Sequence, residues 1–551
     1  MSHTVAIIAP MVDLEQYNLD FRLVLDKSKR ELTLSTLQEL AQNGFHTDKI
    51  VPVPSKKDMM PAAGFYLAGL LRENGYETLL THKCNQESLE SIAKEKPLAV
   101  CLSSTMILSN ESLKNYLKLI RCYLPETSII VGGIYIWKSY QFYELHWGRE
   151  HAPDESSLLL FHAESSDFPA DVYVAAPHGR ESLLLILKEL QAVKTNFDRI
   201  PNLAIPDKAG GFLFTERKIE EVDYNKDFTR WDLIDVLPDQ IPIRTSIGCP
   251  FRCLYCDFYR LFPRIILRSK ESLQSELGMI HTRIKGKHHI IHTSDDNVFI
   301  NNKQLIEVSE AFIASDIQRW IGFMRPSAIN ESNIGIVKRS GLMISLVGVE
   351  SGDNDQLVRM NKLQKLENVK RGIELLDQNG INVMMTYIVG FPGETAETVN
   401  NTARFINGLD IGLASSSYML FPLFISPFSD LALPEYRQKW KIRGMFNKWS
   451  HYTMDSQQSI EISYELFKQV SRVPYHYSEE RTFYNQQAFS DEQRQKLFEL
   501  RHELSLAYIE KFSREQKISI LRNIAEALQV TDKKINHNLL DEITVGSLMD
   551  G

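Results

Sequence analysis

Short apolar runs alternate with amphipathic segments through the N-terminal third of the chain. The runs occupy residues 5–9, 77–80, 98–103, 128–133 and 171–176. Residues 61–75, which lie between the first two runs, place apolar side chains at helical spacing and end on a glycine, as helices commonly do. Alternation of short buried strands with helices predicts a parallel sheet of the Rossmann type.

A second series of apolar runs, again with helical patterns between them, follows in the middle of the chain. Its strands are predicted at residues 243–247, 289–293, 320–325, 344–349, 383–389 and 416–421. Six strand–helix units predict an open partial (β/α)6 barrel, because a closed barrel of this kind has eight.

Turn-rich and charged segments separate these series from their surroundings. Residues 202–226 predict a hairpin in a linker, and the pattern after residue 433 becomes helical and charged. The sequence therefore predicts an α/β protein in four parts. These are a Rossmann-like domain at 1–195, a linker with a hairpin at 196–238, the partial barrel at 239–432 and a mainly helical domain at 433–551.

Composition narrows the classes of function. A chain of 551 residues with 43% hydrophobic and 24% charged residues predicts several globular units. The formal charge of -8 opposes a general nucleic-acid or anionic-membrane surface, so we expect a small-molecule or peptide partner. We find no apolar run near the ~18 residues of a membrane helix and no cleavable signal, and we expect a cytoplasmic protein.

Three of the six cysteines lie together in the motif Cys249-Pro-Phe-Arg-Cys253-Leu-Tyr-Cys256, directly after a predicted strand. Three thiolates on one loop can ligate three irons of a cubane cluster and leave the fourth iron open. A closed zinc site needs a fourth ligand that the neighbouring residues do not supply, and three cysteines cannot all pair as disulfides. The remaining cysteines are predicted to be buried free thiols, so we expect one cluster; they are Cys84, Cys101 and Cys122.

The cysteine triplet at the end of the first barrel strand resembles the radical S-adenosylmethionine (radical SAM) superfamily, whose members bind S-adenosylmethionine (AdoMet) at the open iron. Further residues lie at the ends of the later predicted strands, in the same order as the motifs of this superfamily. They are Ser294 and Asp295, Arg325, Glu350 with Ser351, and Phe391. The resemblance implies that Glu350 holds the AdoMet ammonium and that Tyr255 and Phe391 lie near the adenine. The common Gly-Gly-Glu form of the second motif is absent.

The N-terminal domain resembles the cobalamin-binding domain of the cobalamin-dependent radical SAM enzymes. The residues expected to contact cobalamin are small or polar groups after the predicted strands, a pattern that ordinary turns also show; they are Ser103, Ser104, Thr105, Gly132, Gly133, His178 and Gly179. The Asp-x-His-x-x-Gly loop that supplies a histidine to cobalt in many such domains is missing. His46 is expected to be a surface histidine instead.

This resemblance implies a cobalamin-dependent radical SAM methyltransferase, which transfers a methyl group from AdoMet by way of methylcobalamin to an unactivated carbon of a metabolite or peptide in natural-product formation. The implied cofactors are one 4Fe-4S cluster, AdoMet and cobalamin, with an electron donor such as flavodoxin or ferredoxin. A cyclase or rearrangement enzyme that transfers no methyl group is the first alternative. A non-catalytic cobalamin sensor or carrier is the second, and the intact triplet with Glu350 opposes it.

Aromatic residues near the C-terminal end of the barrel are candidates for the substrate pocket. Residues 421–428 and 448–454 are rich in aromatics, and His451 or Tyr452 would provide polar anchors. The alternative interpretation places these aromatics in an interdomain core, with His451 as a buried, hydrogen-bonded histidine.

Overall fold

A computed structural model describes residues 3–10, 61–146, 159–192, 195–284, 289–317, 319–412, 416–476 and 491–513, with parts of 515–527. These residues form two main sheets flanked by helices, together with two small two-stranded sheets. None of the described helices combines the length and the apolarity needed to span a bilayer.

The first sheet has seven strands in the order β2-β1-β3-β4-β5-β6-β7. Its strands are β1 (Thr4–Ile8), β2 (Glu77–Thr81), β3 (Ala99–Ser103), β4 (Ser128–Gly132), β5 (Val172–Val174), β6 (Leu203–Pro206) and β7 (Phe212–Phe214). The first five are parallel, whereas β6 and β7 add antiparallel. The hairpin that we placed in a linker thus extends this sheet.

Helices lie between the strands of the first sheet. They are α1 (Ala62–Glu73), α2 (Gln86–Lys94), α3 (Asn110–Tyr123), α4 (Ile134–Leu145) and α5 (Arg180–Glu189). The strand order 2-1-3-4-5 is that of doubly wound folds, in which ligands bind at the carboxyl ends of the strands. Strands β1 and β3 are buried almost throughout, as expected for a sheet covered on both faces.

The second sheet is parallel and has six strands in the order β15-β14-β13-β12-β11-β8. Its strands are β8 (Gln240–Ile243), β11 (Ile290–Thr293), β12 (Trp320–Met324), β13 (Leu342–Glu350), β14 (Asn382–Val389) and β15 (Ser417–Pro422). The helices of this region are α6 (Phe258–Leu261), α7 (Lys270–Ile284), α8 (Asn302–Ala314), α9 (Ile334–Arg339), α10 (Asn354–Arg359), α11 (Leu366–Gln378) and α12 (Ala396–Asn407). The predicted α/β fold with an open six-stranded barrel is confirmed.

The first barrel strand differs from its prediction. It was placed at 243–247, but it ends at Ile243, and β9 (Ser246–Ile247) pairs antiparallel with β10 (Ile266–Leu267). The carboxylate of Asp295 accepts hydrogen bonds from the backbone N–H groups of Thr245 and Ser246, at 2.8 and 2.6 Å. These two donors are therefore lost to the sheet, and the chain leaves it before the cysteines.

Beyond the barrel, the described residues form α13 (Pro434–Trp440), a hairpin of β16 (Arg443–Met445) and β17 (Lys448–Ser450), α14 (Ser456–Gln469) and α15 (Asp491–Ile509). The hairpin was not predicted. The two sheets share a continuous hydrophobic core, in which Phe65 on α1 packs on Trp231, with 5.4 Å between ring centroids. Trp231 in turn donates a 2.8 Å hydrogen bond to Glu276 on α7.

Candidate active site

The three motif cysteines lie on the loop after β9, at the carboxyl end of the barrel sheet. Gly248 opens this loop with a φ of +82°, and a Cβ there would lie 2.8 Å from the carbonyl oxygen of Arg264, so the turn requires glycine. All three thiols are free. Burial raises the pKa of Cys249, and it raises that of Cys256 to about 12; the nearby Cys253 thiol adds to both shifts. Cluster ligation must therefore displace protons from these thiols.

A neighbouring segment after α10 holds the cysteine loop in place. The N–H of Leu254 donates to the carbonyl of Met360 at 3.0 Å, and the Asn361 amide donates to the carbonyl of Arg252 at 2.7 Å. Arg325 contacts both pieces: its guanidinium lies 3.7 Å from the ring centroid of Phe251 and donates to the Lys362 carbonyl. Arg325 thus positions the loop between the first two cysteines.

A buried ion pair lies beside the cluster loop. Lys362 Nζ is 2.8 Å from Glu350 Oε1 and donates to the Tyr255 hydroxyl at 3.2 Å. Glu350 and Lys362 are only 6% and 4% exposed, so water screens their charges weakly. Glu350 also has a φ of +71°, which is strained for a residue with a side chain. The predicted residue Glu350 is therefore joined by Lys362, which we did not predict.

The two residues expected near the adenine lie together. The ring of Tyr255 meets that of Phe391 edge to face, with 6.5 Å between centroids, and both side chains are largely withdrawn from solvent. Ser351 is buried, and its hydroxyl accepts a 3.2 Å hydrogen bond from the Asp353 N–H. Ser351 thus stabilises the turn that leads into α10.

The end of β11 combines bonded and unbonded polar groups. Asp295 uses one oxygen to hold the strand before the cluster loop, while its other oxygen and the amide of Asn297 are buried without a hydrogen-bond partner among the described residues. Ser294 donates its backbone N–H to Ile243 at 2.8 Å. Burial raises the pKa of the neighbouring Asp296 to about 6. Buried groups without partners are costly, so this strand end suits a polar ligand.

The cradle predicted for cobalamin is assembled at the ends of β3 and β4. Ser104 donates its N–H and its hydroxyl to the Gly132 carbonyl at 2.7 and 2.8 Å, and the Ser103 hydroxyl donates to that of Thr105 at 3.2 Å. Gly133 has a φ of +113°, and a Cβ there would lie 2.9 Å from the Thr105 nitrogen. This turn therefore requires glycine, because any side chain at this position would meet the backbone that follows β3.

His178 and Gly179 lie at the next strand end, after β5. His178 Nε2 is 2.5 Å from the Tyr224 hydroxyl, and burial lowers the pKa of the imidazole, which favours its neutral form. Gly179 begins α5 with a φ of +65°. All the residues predicted for cobalamin therefore share one edge of the first sheet. His46 lies outside the described residues.

Helix α4, which follows Gly133 directly, connects the carboxyl edge of the first sheet to that of the barrel sheet. Lys138 on this helix lies 2.8 Å from the carboxylate of Asp257, the residue that follows the third cysteine. Asp257 also accepts a 2.6 Å hydrogen bond from Ser426. Near this pair, the rings of Phe142 and Phe428 meet edge to face at 5.9 Å. The cradle of the first sheet and the cysteine loop of the second are therefore neighbours.

His451 is not available as a polar anchor for substrate. Its Nε2 lies 2.8 Å from the Gly390 carbonyl and its Nδ1 lies 3.0 Å from the Thr453 hydroxyl, while Trp449 stacks on the ring. The buried-core interpretation is the correct one for this histidine. Tyr452 is 50% exposed.

The residues present fit the implied groups. The cysteine loop supplies three free thiols for an iron–sulfur cluster, and the Glu350–Lys362 pair supplies opposite charges for the zwitterionic amino acid part of AdoMet. The ends of β3 and β4 carry only small or hydroxyl-bearing residues, which a large cofactor can approach closely. The sequence gives no signal for Lys362, because the residues around it are polar and charged and form no motif.

Comparison with known proteins identifies both domains. Residues 243–406 match the radical SAM superfamily and residues 49–146 match the B12 binding domain. Among curated relatives, the anaerobic magnesium-protoporphyrin IX monomethyl ester cyclase of Rubrivivax gelatinosus is 29% identical over 187 residues, which are 33% of each chain. The hopanoid C-2 methylase of Rhodopseudomonas palustris is 28% identical over 185 residues, 31% of this chain and 34% of the relative. The matched segments of the first three relatives cover 33%, 48% and 56% of their lengths.

Two solved structures share the fold. The radical S-adenosylmethionine methyltransferase TsrM from Kitasatospora setae, solved with cobalamin and a [4Fe-4S] cluster, superposes with a TM-score of 0.52 at 16% identity, over 80% of this chain and 78% of its own. The cobalamin-dependent S-adenosylmethionine radical enzyme OxsB superposes with a TM-score of 0.58 at 14% identity, over 99% and 84%.

The two domain matches bear on the cofactors as well as on the family. A radical SAM domain implies a 4Fe-4S cluster and AdoMet, and a B12 binding domain implies cobalamin, so the predicted cofactors are confirmed. The chain thus carries a B12 binding domain followed by a radical SAM domain, the combination that a cobalamin-dependent radical SAM enzyme has.

Proposed function

We propose that this protein is a cobalamin-dependent radical SAM methyltransferase that places a methyl group on an unactivated carbon of a small molecule or peptide. The observation that carries the proposal is the Lys138–Asp257 ion pair of 2.8 Å. It joins the helix that starts in the cobalamin cradle to the residue that follows Cys256. A substrate between the two strand edges would lie within reach of both cofactors.

When bound, the cluster that Cys249, Cys253 and Cys256 would hold and the cobalamin at the first sheet would supply the radical and methyl-transfer chemistry. The protein has to orient AdoMet. The amino acid part of AdoMet carries an ammonium and a carboxylate, and Glu350 and Lys362 present the opposite charges. Both side chains would exchange their mutual contact for a charge-assisted bond to AdoMet.

Exclusion of water is the second task of the protein. Tyr255 and Phe391 close one side of the cluster loop, and Phe391 is fully buried. A dry wall here would keep the radical from bulk solvent and strengthen the contacts of the ion pair. We also propose a cytoplasmic location, since a reducing compartment keeps the six cysteines as free thiols.

A second candidate function is a cyclisation or rearrangement without methyl transfer. The magnesium-protoporphyrin cyclases from two organisms are among the relatives, and the aligned segment of one covers 62% of this chain. The methylase relative and the fold of TsrM support the methyl-transfer assignment.

The test requires no known substrate. The reconstituted protein is incubated anaerobically with a chemical reductant and AdoMet bearing a CD3 group, and its cobalamin is then extracted for mass spectrometry. A methyltransferase yields cobalamin that carries the deuterated methyl group. Cleavage of AdoMet to 5′-deoxyadenosine with unlabelled cobalamin would contradict methyl transfer and favour the second candidate. A Cys256→Ala variant controls for the cluster.

A further inference from the structure

Lys138 brings a positive charge from the first domain to the cysteine loop of the barrel. Its Nζ lies 2.8 Å from the carboxylate of Asp257, and the two side chains are 26% and 11% exposed. Asp257 follows the predicted cluster ligand Cys256 directly, so the Cα atoms of these two residues are ~3.8 Å apart. Because both charged side chains are largely withdrawn from water, solvent screens them only in part. The pair therefore belongs to the electrostatic surroundings of the cluster site.

Lys138 is the cation that compensates Asp257. The carboxylate also accepts a 2.6 Å hydrogen bond from the hydroxyl of Ser426, which is a neutral group. Within the described part of the chain, no second basic side chain forms an ion pair with Asp257, and Arg260, three residues further on, pairs with Asp430 instead. Loss of the Lys138 ammonium would therefore leave Asp257 as an uncompensated negative charge.

The charge of Asp257 acts on the cluster site. Burial raises the pKa of Cys256, and Asp257 raises it further. Burial likewise raises the pKa of Asp296 at the end of β11, and Asp257 again adds to the increase. Cys256 and Asp296 lie on different segments, so the field of Asp257 extends beyond its own loop. A negative charge that disfavours a thiolate also disfavours an added electron on the cluster that this thiolate would hold.

Helix α4 fixes the place from which Lys138 extends. The helix begins directly after Gly133, whose carbonyl accepts a 3.0 Å hydrogen bond from the Trp137 N–H. The rings of Trp137 and Tyr140 stack on each other, and the Arg217 guanidinium lies 5.0 and 4.5 Å from their centroids. The helix is thus anchored to the first domain, and it is this domain that supplies the compensating charge.

We propose that Lys138 is a positioning residue that raises the reduction potential of the cluster by neutralising Asp257, an inference that rests on the proposed function because that reaction begins when the cluster is reduced. In the step concerned, the oxidised cluster gains one electron from an external one-electron reductant, and no bond forms or breaks. The ammonium of Lys138 offsets the carboxylate, so the added electron meets a weaker negative field. The cobalamin-binding domain thereby makes the cluster of the barrel easier to reduce.

A double-mutant cycle with the reduction potential as its readout tests this proposal. Lys138→Met removes the cation and should make the cluster about tenfold harder to reduce, which is a potential 59 mV more negative for one electron. Asp257→Asn removes the anion and should shift the potential in the opposite direction. The double variant should lie near wild type, and so should Lys138→Arg, which keeps the charge. A purely structural role would shift the potential of both single variants in the same direction.

The potential is measured by stepwise chemical reduction of the anaerobically reconstituted holoprotein, with the electron paramagnetic resonance signal of the reduced cluster as the readout. Neither substrate nor AdoMet is present. Lys114→Met is the matched control, because Lys114 on α3 forms a comparable 2.9 Å ion pair with Asp167 within the first domain. Iron, sulfide and cobalamin contents are measured in every variant.

An unchanged potential in Lys138→Met with full iron content would overturn the proposal. Single variants that shift in the same direction, or an equal shift in Lys114→Met, would do so as well. Loss of the cluster from Lys138→Met would make the pair a requirement for cluster binding and would also overturn the assigned role. If the labelling experiment finds no deuterated methyl group on cobalamin, the proposed function fails, and the redox titration still decides the role of Lys138.

Discussion

The two regions of this protein that would hold cofactors lie at equivalent positions, the carboxyl edges of parallel sheets. The side chains that line the two edges differ. The barrel edge buries charge: Glu350, Lys362, Arg325 and Asp295 are each at most 7% exposed. The edge of the first sheet is lined at β3 and β4 by small hydroxyl residues and by Gly132 and Gly133. The contrast matches the ligands, since the amino acid part of AdoMet carries opposite charges whereas cobalamin is large and has to be approached closely.

Removal of a cluster ligand should have the largest effect, because it should abolish the function of the barrel edge and leave cobalamin binding at the first sheet intact. Cys256→Ala should lose the 4Fe-4S cluster and all reductive AdoMet cleavage, because two thiolates cannot hold the cubane in the same way. Cobalamin content should not change. Iron, sulfide and cobalamin analysis with an assay of 5′-deoxyadenosine measures both. Cys122, which was predicted to be buried but is exposed, provides the control. An equal loss in Cys122→Ala would contradict the assignment.

The reverse experiment distorts the turn at Gly133 that forms the cobalamin cradle. Gly133→Ala places a methyl group 2.9 Å from the Thr105 nitrogen in a left-handed backbone conformation. A distortion that costs about 1.4 kcal/mol would weaken cobalamin binding tenfold, and iron content should remain at the wild-type value. Gly211→Ala is the matched control, since nothing lies within 4 Å of its Cβ position. Full cobalamin occupancy with normal affinity in Gly133→Ala would refute the cradle.

Breaking the buried ion pair separates its structural role from ligand binding. Glu350→Gln or Lys362→Met alone leaves one buried charge without its partner and should lower the free energy of unfolding by about 3 kcal/mol. The double variant should recover most of this loss. AdoMet affinity should fall in all three, as equilibrium dialysis would show, because each lacks part of the charge pair. A double variant that binds AdoMet normally would exclude both residues from the AdoMet site.

An effect on stability alone, without loss of either cofactor, is expected at Glu394, which accepts a hydrogen bond from the Gly390 N–H. Burial raises the pKa of Glu394 from 4.5 to about 7, so the folded state holds a proton that the unfolded state releases. The free energy of unfolding should therefore fall as pH rises from about 4.5 to 7, by at most ~3 kcal/mol.

The Glu394→Gln variant isolates this contribution. It lacks the titrating carboxyl, so it should gain stability relative to wild type between pH 5 and pH 8. Urea unfolding followed by tryptophan fluorescence at both pH values measures this gain. A constant difference between the two proteins would show that Glu394 does not titrate in this range.

Local patterns in the sequence predicted much of this architecture. The strands and their succession along the chain follow from runs such as residues 98–103 and 383–389, because buried parallel strands are almost continuously apolar. The cysteine motif and the Gly132-Gly133 turn are compact in sequence, so their positions at strand ends could be predicted. The individual roles of the predicted site residues stay predictions.

Features set by long-range contacts were missed. Lys362 follows a helix end that carries no motif, and only folding brings it to Glu350 and Tyr255. The first barrel strand was placed too late because Asp295, distant in sequence, binds the Thr245 and Ser246 N–H groups. The Gly390 carbonyl that contacts His451 likewise comes from another segment, so the residue type alone could not distinguish a substrate anchor from a core residue.

The most direct test of the central claim, that the two different edges enclose one shared reaction space, is electron paramagnetic resonance of bound cob(II)alamin. The spectrum is recorded in wild type with the cluster reduced and in cluster-free Cys256→Ala. The account predicts that magnetic interaction with the reduced cluster broadens and splits the cobalt signal in wild type, and that this effect is absent from the variant. Identical, unbroadened cobalt spectra in both proteins would place the two cofactors far apart and contradict the shared site.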